Sequence, residues 1–279
     1  MSSSVLGLVR ASHPEPAAAV TVVAGLLAAG VGHRPAGIAA VVLTVLASQL
    51  AVGWSNDALD AHRDAAVGRT DKPAAIGTIR RRTLAYGAGA AAVATPLVAL
   101  LTGGAAAACA TLGLLSALLY NWPLKSTSVS VLPYAVSFGA LPAFVVLALP
   151  GAPSPPVWLV AAAACLGGGA HFANVLPDLA DDARTGVHGL PHRLGPTGSR
   201  LAAAGLLLAA TVTLVVGPPG PPSWAGLSAI AVAALVPALG WYIGRGAPRA
   251  GGRPVVAFRA VMVVALIDVV LLVASGRVI

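Results

Sequence analysis

Nine apolar runs recur along this 279-residue chain, and most are long enough, or nearly so, to cross about 30 Å of hydrocarbon as helices. They are read at 17–32, 37–54, 84–101, 105–120, 132–149, 157–172, 201–216, 224–243 and 255–274. With 57% hydrophobic and 9% charged residues, the chain departs from a soluble domain, which carries about 45–50% apolar and about 25% charged positions. Scarce charge also excludes disorder. The two cysteines, Cys109 and Cys165, sit within apolar runs, so no disulfide framework is implied. The expected fold is an all-α membrane protein: nine transmembrane helices in one bundle, forming a single domain over residues 1–279.

Loop charges orient that bundle. Fifteen of the 17 basic residues fall in alternate loops: Arg10, then Arg63 through Arg82, then Lys125, then Arg184, Arg193 and Arg200, then Arg245 through Arg259. Only Arg34 and Arg277 lie on the other side. The positive-inside rule then places the N-terminus in the cytoplasm and the C-terminus outside. The first run follows Arg10 but precedes no A-x-A cleavage pattern, so it is read as a retained span. The net charge of +8 reflects topology and attraction to anionic lipid, and no continuous basic face points to nucleic acid.

Acids are distributed differently. Seven of the nine lie in two loops on the cytoplasmic side, Asp57, Asp60, Asp64 and Asp71 after the second run and Asp178, Asp181 and Asp182 after the sixth. Asn56, Asp60 and Asp64 stand at i, i+4 and i+8, one stripe on a continuing helix. Asn174, Asp178 and Asp182 repeat the pattern after the sixth run. The sequence thus predicts two four-helix-like pseudo-repeats around a central cavity, with the stripes facing each other. Clustered carboxylates near a membrane are costly without a positive partner. The partner could be neighbouring arginines on a solvated loop. A hard cation is the other candidate, and oxygen-only donors suit Mg²⁺.

The flanking bases fit a phosphate. Arg69 and Lys72 follow the first stripe and Lys125 lies just past Tyr120-Asn121; Arg forks or Lys point charges can hold non-bridging diphosphate oxygens. No P-loop or dinucleotide glycine pattern is present.

These motifs resemble the UbiA superfamily of intramembrane prenyltransferases. The likeness rests on Asn56-Asp57-x-x-Asp60-x-x-x-Asp64 with Arg69-Thr70-x-Lys72-Pro73 and Gly77, on Asp178-x-x-x-Asp182-x-x-x-Gly186 running to Arg193-Leu194-Gly195, and on Tyr120 with Lys125. Two positions depart from the family pattern: Lys72 stands where Arg usually precedes the proline, and Ala61 where many members carry a base. The resemblance implies Mg²⁺-dependent transfer of an isoprenyl group from its diphosphate to a lipophilic or aromatic acceptor, hydroxybenzoate- or quinone-precursor-like. It implies metal binding by Asn56, Asp60, Asp64, Asp178 and Asp182 with Asp57 behind them, and diphosphate binding by Arg69, Lys72, Lys125 and Tyr120; Asn174 and Asp181 are further candidates. A terpene cyclase, which ionises the diphosphate without an external acceptor, shares the same machinery. A transporter fits less well, because coupling acids usually sit at mid-membrane. Asp268, alone in the last run, is read as one side of an interhelical hydrogen bond.

Overall fold

The computed structural model describes residues 3–244 and, within the last apolar run, residues 263, 264, 266–270, 272 and 273. In chain order the helices are α1 (Ser3–Ala11), α2 (Pro14–Gly30), α3 (Pro35–Ala66), α4 (Arg81–Ala99), α5 (Gly104–Asn121), α6 (Leu132–Leu147), α7 (Val157–Val175), α8 (Leu179–Arg184), α9 (Leu190–Val216) and α10 (Trp224–Gly244). No strand occurs among the described residues. Five helices (α3, α4, α5, α7 and α9) are long and apolar enough to cross a membrane, and α2, α6 and the start of α10 are shorter apolar helices. Proline occupies the first turn of α2, α3, α6 and α9, where its missing N–H costs nothing and its fixed φ favours helix entry. The ninth apolar run lies largely outside the described residues; 266–270 within it are helical.

α3 packs on α2, α4 and α5, and α5, α6, α7 and α9 follow one another round the bundle. One end is closed by a core of Ala28, Val41, Phe144, Val145 and Leu159. Here His33 Nε2 lies 2.8 Å from the Val145 carbonyl, joining the loop before α3 to α6. The other end carries the acids.

α3 is the element that matters most for the site. At 32 residues it is about 48 Å long, well beyond a hydrocarbon layer, so the helix runs past its apolar stretch and through the first stripe. Asn56, Asp60 and Asp64 therefore do share one helix. The second stripe is a correction. α7 stops at Val175, and the Asp178 N–H bonds back to the Val175 carbonyl at 3.0 Å in a tight turn before α8 begins. Pro177 is the reason: it cannot donate to the carbonyl four residues back and its ring crowds that carbonyl. Asn174 thus belongs to α7, while Asp178 and Asp182 lie on a separate segment. The span expected from residue 201 also begins earlier, at Leu190, and bends at Gly195 (φ 67°, ψ 178°).

α1 was not expected. It is a short helix whose Ala11 packs with Ala58, Ile79 and Leu84 beside the start of α4. Trp54 Nε1 donates to the Leu8 carbonyl at 2.9 Å, fixing α1 to α3.

Candidate active site

The site begins at the acidic end of α3. Lys125 Nζ donates to both Asp60 carboxylate oxygens at 2.6 Å, and Arg63, one turn along the helix, pairs with the same carboxylate. Asn56 Nδ2 donates to Asp60 Oδ2 at 3.3 Å and approaches Asn121 Oδ1 at 3.5 Å. Asn121, buried at the end of α5, donates to the Val52 carbonyl (2.9 Å) and to Ser55 Oγ (2.6 Å). These bonds dock α5 onto α3 and aim the following turn, with Lys125, at Asp60. A cavity of about 160 Å³ lies between Asp60, Arg63, Asn121 and Lys125. Gly189 allows this turn to approach α9: a Cβ there would overlap the Lys125 carbonyl oxygen.

The second acidic segment meets the first across an arginine. Arg69 donates from Nε and Nη2 to Asp71, both at 2.8 Å, and from Nη1 to Asp178 Oδ1 at 3.4 Å. The Asp71 contact holds the guanidinium charged far above ordinary pH and pulls the Asp71 carboxyl down to about 2. Asp182 goes the other way, pushed up to about 6 by burial and then by its neighbour Asp178, against the pull of Lys125 and Arg63. Burial likewise lowers Lys125, although Asp60 opposes it. His192 Nε2 lies 3.9 Å from Asp182 Oδ2, beyond hydrogen-bond reach.

A third group lies behind the first stripe. Asp57 is buried, and its Oδ1 accepts from Lys72 Nζ at 2.6 Å and lies 2.9 Å from His13 Nε2. Lys72 and His13 are themselves 3.0 Å apart. Lys72 is therefore engaged with Asp57 rather than with the acids of the stripe. On the opposite wall Tyr120 meets Tyr134 edge-on at 4.8 Å and His171 at 5.4 Å, and Asn174 Nδ2 donates to the Tyr134 hydroxyl at 3.2 Å. Ser130 Oγ accepts from the Leu190 N–H at 3.0 Å and lies 3.1 Å from His171 Nε2. Asp181 pairs with Arg184, one turn along α8.

The residues expected from the sequence are thus brought to one end of the bundle, with Arg69 and Lys125 as the links. Sequence reasoning missed His13 and Asn121 as parts of this network. His13 is 44 positions from Asp57, and no periodicity relates them. Asn121 could have been flagged as an amide at the inner end of an apolar run.

The donor set fits a hard divalent cation. Asp57 Oδ2 and Asp64 Oδ2 are buried with no hydrogen-bond partner among the described residues, a costly state that a cation would relieve. Among the described residues, no three His, Cys, Asp or Glu side chains converge closely enough to form a ready-made cage. Bases occupy the positions between them.

Residues 18–267 match the UbiA prenyltransferase family. No curated protein sequence matches the chain. Among solved structures, a UbiA homologue from Archaeoglobus fulgidus bound to DMAPP and Mg²⁺ superposes with a TM-score of 0.71 at 14% identity, covering 96% of this chain and 97% of that one. An apo UbiA homologue from Aeropyrum pernix K1 gives 0.72 at 20% identity over 92% and 96%. A structure of digeranylgeranylglyceryl phosphate synthase gives 0.70 at 14% identity over 99% of both chains. Such identities speak for the fold alone; the family match covers most of the sequence, and the chain belongs to the UbiA prenyltransferase family.

Proposed function

We propose that this protein is a Mg²⁺-dependent intramembrane prenyltransferase moving an isoprenyl group from its diphosphate to an aromatic acceptor of hydroxybenzoate or quinone-precursor type. The observation that carries this reading is the meeting of two acidic segments through Arg69 and Lys125 at one end of an apolar bundle. In it, Asn56, Asp60, Asp64, Asp178 and Asp182 hold metal, with Asp57 in support. Arg69, Lys72 and Lys125 hold diphosphate oxygens, and the Tyr120 hydroxyl donates to them. Bound Mg²⁺ would neutralise charge growing on the departing diphosphate. Lys125 and Arg69 each now hold a carboxylate, whose place a diphosphate oxygen would take. The apolar helices keep the isoprenyl tail in hydrocarbon and keep out water that would quench an allylic cation.

The same reading takes residues 1–279 as one domain of nine membrane spans in two pseudo-repeats, with N-terminus and site cytoplasmic and C-terminus outside. Labelling single introduced cysteines in intact cells tests it; reactivity from outside at residue 70 would reverse the orientation.

The function is tested with purified protein, Mg²⁺ and farnesyl or geranylgeranyl diphosphate, following pyrophosphate release with and without a panel of phenols including hydroxybenzoate. Acceptor-dependent release establishes the transferase. Release without acceptor, together with a cyclic product, moves the assignment to the cyclase. Asp60→Ala and Asp178→Ala should abolish turnover while inserting normally; near-normal activity in either would refute the metal assignment.

A further inference from the structure

Among the described residues, the bases near the acidic motif divide into two groups. Arg63, Arg69, Lys72, Lys125 and Arg184 each hold a carboxylate. Arg80, Arg81 and Arg82 are equally close in sequence to the acidic motif, yet all three are exposed and none pairs with a carboxylate among the described residues. They rim an open groove of about 570 Å³ floored by Ala74, Gly77 and Ile79. Arg81 Nε donates to the Ala58 carbonyl at 2.8 Å, which anchors that guanidinium and leaves its Nη groups for another acceptor.

α1 completes the surface. Its inner side packs on the turn before Arg80, where Gly7 abuts Ile79 and Thr78. Its outer side presents Val5, Leu6 and Val9, each 44% exposed, in an i, i+1, i+4 row, and ends at exposed Arg10. A short helix with an outward apolar row and flanking arginines is suited to the boundary between headgroups and acyl chains. The depth agrees, since the apolar stretch of α4 begins at Leu84, within one turn of Arg82.

We propose that Arg80, Arg81 and Arg82, with Arg10 and the outer row of α1, form a docking surface for an anionic phospholipid. The guanidinium groups take the headgroup phosphate and Val5, Leu6 and Val9 lie along the acyl chain. A soluble phosphate would satisfy the arginines but leave that apolar row in water, so charge and apolar surface together select a lipid. This surface is separate from the diphosphate-binding residues and stands whatever the acceptor is.

The test uses the detergent-purified full chain titrated with short-chain phosphatidylglycerol or phosphatidylcholine, with bound lipid counted by native mass spectrometry. Phosphatidylglycerol should bind well ahead of phosphatidylcholine. The double variant Arg80→Gln/Arg82→Gln should weaken it by roughly fivefold per charge removed, about 25-fold together. Arg34→Gln, at the opposite end of α3, should leave binding unchanged, and Arg80→Lys/Arg82→Lys should retain most of it. Equal binding of the two lipids, or no loss in the double Gln variant, overturns the proposal. So does full displacement by inorganic phosphate at the lipid's concentration, which would make this a soluble-anion site.

Discussion

Gly53 lies in α3 one turn before the acidic stripe, where the chain leading into α2 crosses it. A Cβ built at Gly53 would lie 2.8 Å from the Ser12 carbonyl oxygen, 3.0 Å from its carbon and 3.1 Å from its Cα. All three are backbone atoms, so no side-chain rotation relieves the contact. Ordinary contact begins at 3.4 Å, so Gly53→Ala must push the Ser12-His13 backbone outward by about 0.6 Å. That shift stretches the 2.9 Å His13–Asp57 contact past hydrogen-bond range and loosens the hold on Lys72. Overpacking of this kind costs about 1–3 kcal/mol. Gly89 in α4 is the matched control, a helix-interior glycine with nothing within 4 Å of its built Cβ. There the same substitution should gain about 0.5–1 kcal/mol from reduced backbone entropy. The two variants should thus differ by roughly 1.5–4 kcal/mol, in opposite directions from wild type. At about 2–4 °C per kcal/mol, their melting temperatures in detergent should separate by at least about 3 °C. Equal melting of Gly53→Ala and Gly89→Ala would refute the claim that Ser12 is wedged against α3.

Lys125→Met leaves Asp60 with Arg63 as its cationic partner. Losing a charge-assisted hydrogen bond of about 1.5–3 kcal/mol, pyrophosphate release at subsaturating donor should fall about 10- to 150-fold; unchanged kcat/KM would remove Lys125 from the site. The Asp182 carboxyl at about 6 is raised above its unfolded value of about 4, so folding disfavours its charged form. In EDTA, wild type should therefore lose stability relative to Asp182→Asn as pH rises from about 4 to about 6 and level off above, whereas a pH-independent gap would discard this account. Asp268 Oδ2 accepts from Thr211 Oγ1 at 2.8 Å inside the bundle, the interhelical bond expected of it, so Asp268→Asn should keep prenyl-transfer activity and melt close to wild type. Loss of turnover in a well-folded Asp268→Asn protein would give this carboxylate a functional role.

Much of this was legible because membrane burial writes itself into sequence. Hydrocarbon forces long apolar runs, and eight of the nine lie over helices among the described residues. The i, i+4, i+8 spacing of Asn56, Asp60 and Asp64 needed only that α3 continue, and with no proline between its first turn and Ala66 it does. The same argument failed at Asn174-Asp178-Asp182, where periodicity counted positions but Pro177 had already broken the backbone. Arg193 belongs to the family-like stretch after the second motif, yet it carries no ion pair among the described residues.

The sequence by itself determined the class of protein, the end of the bundle where the acids are concentrated, and the residue types available there. Those follow from local rules, apolar length, charge asymmetry and helical period, each of which reads only near neighbours. Tertiary structure alone decided who partners whom. Lys125 serves Asp60 and Arg69 spans to Asp178, while Lys72, expected beside them, turns to Asp57 and His13. These pairs join residues up to 109 positions apart, and nothing local distinguishes one lysine from the other. The choice is made by helix docking, with Asn121 fastening α5 to α3, because a carboxylate drawn out of water takes whichever cation the packing delivers within about 3.5 Å.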